Sequence, residues 1–577
     1  MSLRPRYRWI SRAREGAAAT GSDGEDLLVR ILRSRGLTSP AEVKAFLDPL
    51  GVGPLSPFDL PGAHEAVALL RWAIGRKRRI VVHGDYDADG LSATALMVKG
   101  LQSLGAQVVH YIPNRMDTGY GLDATTVAEL ASRADVLVTV DCGIRSVEEV
   151  SLARRLGMSV IVTDHHLPGP ELPSADALVC PRLPGSRISE ELSGVGVAYQ
   201  VMRALGEVEQ RFGDGRETGE QGTLWPFEDQ VIELVALGTI ADVAPLLGEN
   251  RRLVRAGLER MRREPCVGIV ELARVAGVPL AELSAWSVAF TIAPRINAAG
   301  RLGSSLPALE LLLTASPGRA AELARFLDRT NRERQRQVKR CLEVAKKQEA
   351  SWELDAAPLI FTAAEHYHPG IVGLVAGRLC DEYGVPAVAV CLDGRVAHGS
   401  VRCPEWFGAS EALEGCSPWL DKHGGHSQAA GFTCAVAMLP RVERHLRDRA
   451  AAVGAGCDVR GTLAFDVELP LVGTGSALWQ QLEALEPTGC GNPRPVLVSR
   501  GVRVLQKSLM GRDGNHLQMV LQQDGHQMRA VGFRLGHTLA LLGDRVDLAY
   551  DLDEHSFNGT TERRLRVLDL ADPFDSE

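Results

Sequence analysis

The run HGDYDADG at residues 83–90 places three aspartates and one histidine within eight residues. It follows the apolar segment Ile80-Val81-Val82 and precedes residues 92–98, which favour a helix. The acidic groups are therefore predicted at a strand-to-helix turn, where parallel sheets form ligand crevices and helix N-termini favour phosphate. Crowded carboxylates repel one another, and Asp with His suits a hard divalent cation such as Mn2+ or Mg2+. For this run alone, the alternative is an acidic solvated loop.

Further polar groups follow the next apolar runs of the chain. They are Asn114-Arg115 after residues 107–112, Asp141-Cys142-Gly143 after residues 136–140, and Asp164-His165-His166 after residues 160–162. A later apolar segment, residues 231–240, leads to Asp242. Because strand ends of a parallel sheet meet at one edge, these groups are predicted to form one site. Taken alone, each residue is more often a loop acid or a satisfied core histidine, but together the residues leave that alternative little room.

The elements that must position these groups alternate along the chain. Helical stretches at residues 63–74, 93–104, 125–131 and 147–156 separate the β-rich runs, which predicts βαβ units and a parallel sheet. Before them, Ser39-Pro40-Ala41-Glu42 carries the residues of a capping box. Residues 1–60 are therefore predicted to be a helical lead-in.

Composition limits the class of protein. The chain of 577 residues is longer than a single hydrophobic core usually supports, so several domains are expected. Its content of 45% apolar and 24% charged residues is typical of a soluble globular protein. No apolar run approaches a bilayer-spanning length, and the start of the chain leads into no signal-peptide core, so a cytoplasmic location is expected. The 11 cysteines form no CxxC pair, which indicates reduced, mostly buried thiols.

The net charge of −8 argues weakly against a nucleic-acid partner. However, the acidic excess includes the clusters that a metal would neutralise. Residues 1–80 carry 14 basic and 8 acidic residues, a surplus that is equally compatible with a solvated face.

Arg295, Asn297 and Arg301 lie in the run PRINAAGRLG at residues 294–303. Guanidinium groups beside small residues suit a nucleic-acid phosphate, because the backbone can approach closely. The alternative is an arginine that pairs with a core acid.

Residues 319–347 read as one long helix with apolar positions near both ends and a wholly polar middle at residues 331–337. This pattern predicts a helix that bridges two domains and is wet at its centre. A second domain should follow, with strands at residues 358–361 and 385–390. It carries His366-Tyr367-His368, Gly399-Ser400-Val401-Arg402 and Gly424-Gly425-His426.

Residues 458–572 contain short alternating segments, and Asp524-Gly525 is a strong hairpin signal. A small β-barrel is predicted there.

Several of these strings resemble the motifs of the DHH phosphoesterase superfamily, and the longer ones resemble its RecJ branch. The strings are HGDYDADG at 83–90, YIPNR at 111–115, LSGVGVA at 192–198, APRINAAGRLG at 293–303 and EPTGCGNP at 486–493. The resemblance covers most of the chain. Tyr367, Cys403 and Thr118 depart from the usual tryptophan, serine and glutamate, and these departures concern the binding of the strand end. In the string at 486–493, Thr488 replaces the usual phenylalanine.

The resemblance implies an α/β multidomain fold with a parallel-sheet DHH domain, a connecting helix, a DHH-associated domain and an OB-fold barrel. The expected boundaries are 1–60, 61–317, 318–352, 353–455 and 456–577. It also implies roles for individual residues. The implied metal ligands are His83, Asp87, Asp89, Asp141, His165 and Asp242, with Asp141 as the bridging ligand. The implied catalytic residues are His166, Asp85 and Asp164. The implied substrate-binding residues are Arg115, Arg295, Asn297, Arg301, His368, Ser400, Arg402 and His426.

Physical chemistry is compatible with that division. Two divalent ions can activate a water and stabilise both oxygens of a phosphodiester displacement. A bridge between them needs a carboxylate, because imidazole offers one lone pair at a time. His165 and His166 point to opposite faces, so one ligand and one substrate contact is the natural assignment. The OB fold would offer Arg529, Phe533 and Arg534 as a single-strand platform, although Phe533 alone is more readily a core residue.

The implied function is a 5'-to-3' exonuclease that releases mononucleotides from single-stranded DNA, in repair and recombination, with two Mn2+ or Mg2+ ions. A single-strand-binding protein and a helicase are candidate partners, and a monomer without membrane contact is expected. The alternatives are a DHH phosphoesterase for short oligonucleotides or cyclic dinucleotides, and a metal-free DNA-binding relative as in the eukaryotic replisome. The barrel and the long helix argue against the first, and the complete set of acids argues against the second.

Overall fold

The structure is a computed structural model. It describes residues 3–13, 26–114, 121–188, 191–212, 228–348, 352, 354, 358–455, 460–471, 476–511, 513–557 and 560–573. Arg115 and Thr118, which the sequence singled out, lie outside the described residues.

A five-stranded parallel sheet forms the first domain, in the order β3-β2-β4-β5-β6. Its strands are β2 (Arg79–His83), β3 (Gln107–Tyr111), β4 (Val136–Val140), β5 (Ser159–Thr163) and β6 (Ala177–Val179). The helices between them are α3 (Ala63–Gly75), α4 (Ala88–Ser103), α5 (Ala124–Ala131) and α6 (Val147–Arg155). The predicted strands are confirmed. All five residues of the central strand β4 are buried, whereas the edge strand β3 is largely exposed. The three-residue β6 was not predicted.

A layer of helices packs on this sheet and shares one hydrophobic core with it. The helices are α7 (Gly194–Phe212), α8 (Glu228–Ala241), α9 (Gly248–Arg263), α10 (Val267–Ala276), α11 (Ala285–Ser287), α12 (Ala293–Leu302) and α13 (Leu306–Leu313). A π-helical turn, Val288–Ile292, leads into α12. Asp242 therefore follows a helix, whereas the other acids of the predicted site follow strands.

The long helix α14 (Pro317–Lys347) confirms the predicted connection. Leu323 and Leu327 pack into the core of the parallel-sheet domain, and Cys341 and Ala345 pack into the core that follows. The prediction of a wholly wet middle is wrong at Asn331, which is buried because this turn of the helix packs against the first domain.

The second sheet has the order β10-β11-β9-β8-β7, with β7 and β8 parallel and the other neighbours antiparallel. Its strands are β7 (Ile360–Ala364), β8 (Ala387–Asp393), β9 (Val396–Arg402), β10 (Lys422–Gly425) and β11 (Ala429–Ala435), and its helices are α15 (Val372–Tyr383), α16 (Ala409–Glu414) and α17 (Leu439–Gly454). The predicted strands begin two residues too early in both cases.

The C-terminal region forms a closed barrel, because β14 pairs with both β15 and β17 and the chain of pairings runs through β16 and β18. Its elements are β12 (Thr462–Phe465), β13 (Val467–Glu468), α18 (Ser476–Glu483), β14 (Leu497–Met510), β15 (His516–Gln523), β16 (His526–Gly532), β17 (Arg545–Phe557) and β18 (Thr560–Ala571). The predicted hairpin is confirmed: Asp524 and Gly525 have φ of 49° and 84°, as a type I′ turn requires.

The N-terminal segment departs from the predicted helical lead-in. It contains α1 (Leu27–Ser34) and α2 (Pro40–Leu47), and the capping box of α2 is formed by Ser39 and Glu42. It also contains the strand β1 (Arg8–Ser11), which pairs in parallel with β12. Ile31 and Phe46 belong to the hydrophobic core of the barrel. Pairing with a strand more than 400 residues away has no local sequence signal, which is why the prediction missed it.

Candidate metal centre

The acidic turn after β2 is held by its own backbone and by two distant elements. The Oδ1 atom of Asp87 caps α4, accepting hydrogen bonds from the amides of Asp89 (2.9 Å) and Gly90 (3.1 Å). The side-chain oxygen of Asn297 accepts a hydrogen bond from the Ala88 amide at 2.7 Å. The turn is thereby fixed before any ligand binds.

The carboxylate of Asp89 is held by the N-terminus of α7. It accepts hydrogen bonds from the amides of Gly194 (2.7 Å) and Val195 (3.0 Å). Unsatisfied amides at a helix N-terminus favour negative charge, so this contact stabilises the buried carboxylate. The LSGVGVA string at 192–198 supplied a family resemblance, but its part in holding Asp89 was not predicted.

Asp141 follows β4 in a strained backbone conformation. Its φ is 60°, in the left-handed region that a non-glycine residue rarely adopts. Gly194 lies so close that a Cβ atom there would be 2.4 Å from Asp141 Oδ1. A glycine is therefore required where α7 approaches the carboxylate, and the strain fixes the direction of the Asp141 side chain.

His165 joins two parts of the cluster. Its Nε2 atom lies 3.1 Å from Asp141 Oδ1, and its Nδ1 atom lies 3.8 Å from Asp242 Oδ2. Three groups of side chains could each hold a metal ion, because within each group the ligand atoms lie within 4.8 Å of one another. The groups are Asp85, Asp87 and Asp141; Asp141, His165 and His166; and Asp89, His165 and Asp242. Asp141 and His165 are each shared by two groups, so the groups form one continuous cluster.

The electrostatics of the cluster favour a cation. Burial, and then the charge of Asp242, raises the pKa of Asp89 to about 7. Burial, and then the charge of Asp87, raises the pKa of Asp242 to about 7. Burial and the neighbouring aspartates also raise the pKa of Asp141 well above its ordinary value. The like charges destabilise one another, and divalent cations would relieve the repulsion.

His83 is fully buried beneath this edge and lies outside the three ligand groups. Burial lowers the pKa of His83 to about 4, so the imidazole is neutral. Its Nε2 atom has no hydrogen-bond partner among the described residues. A neutral ring nitrogen without a partner, beside a cluster of carboxylates, fits a site for divalent metal ions.

His166 belongs to one of the three ligand groups, and Asp164 holds it in place. The Asp164 carboxylate accepts hydrogen bonds from the amides of Ile144 (2.9 Å), His165 (2.8 Å) and His166 (3.1 Å), and it lies 2.7 Å from His166 Nδ1. Burial by itself lowers the pKa of His166, but the hydrogen bond to Asp164 and the surrounding acids raise it overall. Asp164 therefore orients His166, and the role that this geometry supports for Asp164 is positioning.

A cavity of about 300 Å³ opens above the cluster. It is lined by Asp85, Tyr86, Asp87, Asp141, His166, Ala241, Asp242, Asn297 and Arg301. Carboxylates therefore face His166 and a guanidinium across a space that a phosphate group could enter.

Arg295 does not line this cavity. Its Nη2 atom pairs with Asp328 Oδ1 at 3.0 Å, and its Nη1 atom donates to the Thr291 carbonyl. This pairing matches the alternative of an arginine that pairs with a core acid, because Asp328 lies on the buried face of α14. A substrate contact by Arg295 stays a prediction.

The second sheet contributes another basic position. Arg402 donates from Nη1 to Ser400 Oγ at 2.8 Å, and both side chains face the first turn of α15. A Cβ atom at Gly373 would lie 3.0 Å from Arg402 Nη2 and 3.2 Å from Ser400 Oγ, so both side chains pack closely against the backbone of α15. Ser400 and Arg402 lie on β9, in the domain that contacts α12 through the hydrogen bond from Arg301 Nη1 to the Gly370 carbonyl at 3.4 Å.

The remaining predicted residues lie apart from the cavity. His368 accepts a hydrogen bond from the Gly370 amide and lines a groove along α14. His426 is exposed in the β10–β11 hairpin. On the barrel, Arg529 pairs with Glu562 at 2.9 Å, and Phe533, 46% exposed, lies edge-on to His516. Arg534 is exposed, with φ of 62°.

Two family models match the chain. The model described as DHH family, N-terminal domain, matches residues 79–239, and the RecJ OB domain model matches residues 465–569. A parallel sheet with an Asp and His cluster at its strand ends, joined to such a barrel, defines a member of the DHH class of phosphoesterases.

Similar proteins narrow the class. The RecJ single-stranded-DNA-specific exonuclease of Thermus thermophilus is 37% identical over 531 residues, covering 92% of this chain and 73% of that protein. Its counterpart in Escherichia coli is 34% identical over 560 residues, covering 94% of this chain and 95% of that protein. The crystal structure of the Thermus RecJ with Mn2+ superimposes with a TM-score of 0.80 at 34% identity, covering 95% of this chain and 76% of that one. The chain belongs to the RecJ family.

A crystal structure of the Thermus RecJ with Mg2+ also matches, with a TM-score of 0.75 at 33% identity, covering 95% of this chain and 74% of that one. No helix in the described part of the chain combines the length and the apolar character that a bilayer-spanning segment needs.

Proposed function

We propose that this chain is a single-stranded-DNA-specific exonuclease that hydrolyses phosphodiester bonds from the 5' end and releases 5'-mononucleotides. Membership of the RecJ family supports the substrate and the reaction. The main structural support for two-metal hydrolysis is that Asp141 and His165 each belong to two adjacent ligand groups. A continuous cluster of this kind can hold two ions side by side.

The residues that would hold the ions are Asp85, Asp87, Asp89, Asp141, His165 and Asp242, and Asp141 belongs to two of the ligand groups. His83, at the end of β2, stays a predicted further ligand. When bound, two Mn2+ or Mg2+ ions supply an activated water and stabilise charge on the attacking and leaving oxygens. Oxygen and imidazole donors suit both metals.

The protein's own groups then position the substrate. His166, kept protonated over a wider pH range by Asp164, can donate to a phosphate oxygen in the cavity. Arg301 lies on the same wall and can neutralise phosphate charge. Asn297 contributes indirectly, because its oxygen is used to hold the acidic turn.

The direction of digestion requires a group that recognises the terminus, since a pair of ions treats both ends of a strand alike. We assign this role to Ser400 and Arg402, with Arg115 as a predicted further contact. A terminal phosphate has extra charge and several acceptor oxygens, which a guanidinium fork matches well. The first turn of α15, beside Arg402, adds amides that favour an anion.

The barrel would hold the strand further from the cut. OB-fold barrels combine basic residues with aromatic faces on which bases stack. Phe533 is exposed enough to stack, Arg534 is exposed next to it in the chain, and Arg529 is exposed on β16. We therefore retain these three residues as the proposed single-strand platform.

Further expectations about partners and cellular role follow from this activity. An enzyme that acts only on single strands depends on a helicase to open duplex DNA and on a single-strand-binding protein that coats the product. We propose both as partners of a monomeric, cytoplasmic enzyme that acts in repair and recombination.

One assay separates this function from its alternatives. The protein is incubated with Mn2+ and three substrates: a long 5'-phosphorylated single strand, its duplex and a dinucleotide. Rapid release of mononucleotides from the long single strand alone supports the proposal. A preference for the dinucleotide would instead indicate a small-substrate phosphoesterase, and binding without hydrolysis would indicate a DNA-binding relative.

A further inference from the structure

The barrel domain contacts the loop that carries Asp242. We call residues 484–492, which follow α18, the docking loop. The Leu246 amide donates to the Cys490 carbonyl at 2.8 Å, and a Cβ atom at Gly489 would lie 2.8 Å from Leu246 Cδ1. Leu246 is buried in the core of the parallel-sheet domain, so the docking loop is packed directly against the domain that holds the metal cluster.

Arg251, near the start of α9, anchors the docking loop. Its side chain is among the largest that are fully buried, and it donates to four docking-loop carbonyls: Ala484 (3.4 Å), Leu485 (3.1 Å), Glu486 (2.9 Å) and Pro487 (3.0 Å). A fifth bond, from Nε, reaches the Phe46 carbonyl at 2.8 Å, and the guanidinium lies 3.9 Å from the centroid of the Phe46 ring. One buried cation therefore joins the metal domain, the N-terminal segment and the barrel domain.

The docking loop is itself rigidly built. Asn492 is buried and donates from Nδ2 to the carbonyls of Leu485 and Pro487, both at 2.8 Å. Its Oδ1 atom accepts from Arg35 Nη1 at 2.6 Å. The carbonyls that Arg251 meets are thus oriented before the contact forms, which favours a fixed geometry over an adaptable one.

Asp242 is held on the α8 side by the hydrogen bond from its amide to the Gly238 carbonyl at 2.8 Å. It begins the connection between α8 and α9, residues 242–247. Val243 has φ of 61°, rare for a β-branched residue, and its side chain is 65% exposed. The backbone of this turn is closed by hydrogen bonds from the Val243 and Ala244 amides to the carbonyls of Ile240 and Thr239, both at 3.2 Å. Further along, Asn250 Nδ2 donates to the Pro245 carbonyl at 3.1 Å, and Leu246 is the residue at which the docking loop contacts this connection.

We propose that Arg251 is a positioning residue: through the docking loop and Leu246 it holds Asp242 in the metal cluster. The barrel domain then supports metal binding although it supplies no ligand. This inference rests on the proposed metal-dependent function, because Asp242 matters here as a ligand.

The physical cost of losing Arg251 explains why the effect reaches Asp242. Replacement by glutamine leaves several buried carbonyls without a donor, and buried unpaired groups are costly. The docking loop is then expected to withdraw towards water, releasing the Leu246 amide and loosening residues 242–247. Changes beyond the direct ligands commonly weaken metal binding by about 10-fold to 100-fold.

The test compares Arg251→Gln with Arg251→Lys and with Arg255→Gln. Arg255 is the matched control, because it lies one turn along α9 and donates to the Leu47 carbonyl, away from the docking loop. Mn2+ binding is measured by calorimetry without DNA, and amide hydrogen exchange is measured for residues 242–247. We expect Arg251→Gln to weaken Mn2+ binding about 10-fold and to speed that exchange. Arg251→Lys should restore part of the affinity, and Arg255→Gln should leave it unchanged.

A second variant changes the docking loop itself and leaves Arg251 in place. Gly489→Val places methyl groups against Leu246 and should displace the same connection, with a smaller loss of Mn2+ affinity. This variant decides the matter if Arg251→Gln gives no cooperative thermal unfolding transition.

The outcomes are distinct. Wild-type Mn2+ affinity and exchange in a folded Arg251→Gln protein, or an equal loss in Arg255→Gln, would overturn the positioning role. Wild-type affinity in Gly489→Val, where Arg251→Gln is unfolded, would overturn it too. If the wild-type chain binds Mn2+ and Arg251→Gln weakens that binding, yet no DNA is cleaved, the proposed function fails while the positioning role stands.

Discussion

The two regions proposed to meet DNA are built in opposite ways. At the edge of the parallel sheet, Asp89 and Asp141 are buried, and each is fixed by a backbone amide or a strained turn. On the barrel, Arg529 and Phe533 are exposed, and Arg529 pairs with another surface residue. Chemistry requires groups held to fractions of an ångström, whereas holding a flexible strand requires accessible charge and ring faces. Single substitutions should therefore be severe in the first region and mild in the second.

Asp141→Ala tests the first half of this comparison and carries the largest expected effect. It removes the carboxylate shared by two ligand groups, so Mn2+-dependent hydrolysis should fall by more than the roughly 100-fold cost of losing an outer partner. DNA affinity, measured by fluorescence anisotropy, should be largely retained. Glu233→Gln is the control, since Glu233 is a buried carboxylate of the same domain that accepts from the Cys266 amide. Near-normal turnover by a folded Asp141→Ala protein would contradict the two-metal proposal.

Asp164→Asn tests how far the rigidity extends beyond the cavity. Asp164 orients His166 by accepting hydrogen bonds from three amides and from the ring itself, so its loss should reduce kcat by about 10-fold to 100-fold with Mn2+ affinity retained. Asp176→Asn is the control, because Asp176 accepts from the Val160 amide at the opposite end of the strand. An equal loss in the two variants would mean that Asp164 acts only through the stability of the sheet.

Arg402→Ala tests the second-sheet domain, where the expected effect lies between those of the metal cluster and the barrel. Loss of one charged hydrogen-bonded contact should cost about 2 kcal/mol on 5'-phosphorylated ends and far less on 5'-hydroxyl ends. Initial rates on the two substrates measure the difference. Arg395→Ala, an exposed arginine at the β8–β9 turn, should change neither rate. Equal losses on both ends would show that Arg402 holds the strand generally and that the terminus is recognised elsewhere.

Phe533→Ala should give the smallest effect. A stacked base contributes about 1 to 3 kcal/mol, and we expect the low end because the ring is already partly covered by the protein. Affinity for a long single strand should fall, while kcat on bound ends is unchanged. Leu509→Ala, which truncates an exposed aliphatic residue of the same barrel, should have no effect on affinity. Unchanged binding by Phe533→Ala would remove Phe533 from the platform.

The sequence predicted much of the first region, because its signals are local. Each strand of the parallel sheet is an apolar run, and the polar residues that follow it reach one edge by the geometry of parallel strands. Asp87, Asp141 and His165 could therefore be placed together without coordinates. The same reasoning could not assign Arg295, since its partner Asp328 lies on another helix and nothing near either residue marks the pair.

Contacts between distant segments account for the other omissions. The α7 amides that hold Asp89 belong to a glycine-rich string whose role depends on tertiary packing. Likewise, the five carbonyls around Arg251 come from two regions more than 200 residues away from it. A deletion of residues 458–577 illustrates the consequence: it would also expose Ile31 and Phe46, so point variants test the barrel more cleanly.

The pairing of β1 with β12 also affects how the protein is made. Roughly 450 residues separate the two strands, so β1 leaves the ribosome on the order of 20 to 90 seconds before its partner is synthesised. During that interval Ile31 and Phe46 lack the barrel core that covers them in the finished protein. A nascent chain stalled within the second sheet would therefore present an unpaired strand and an apolar surface, and we expect such stalled chains to bind general chaperones.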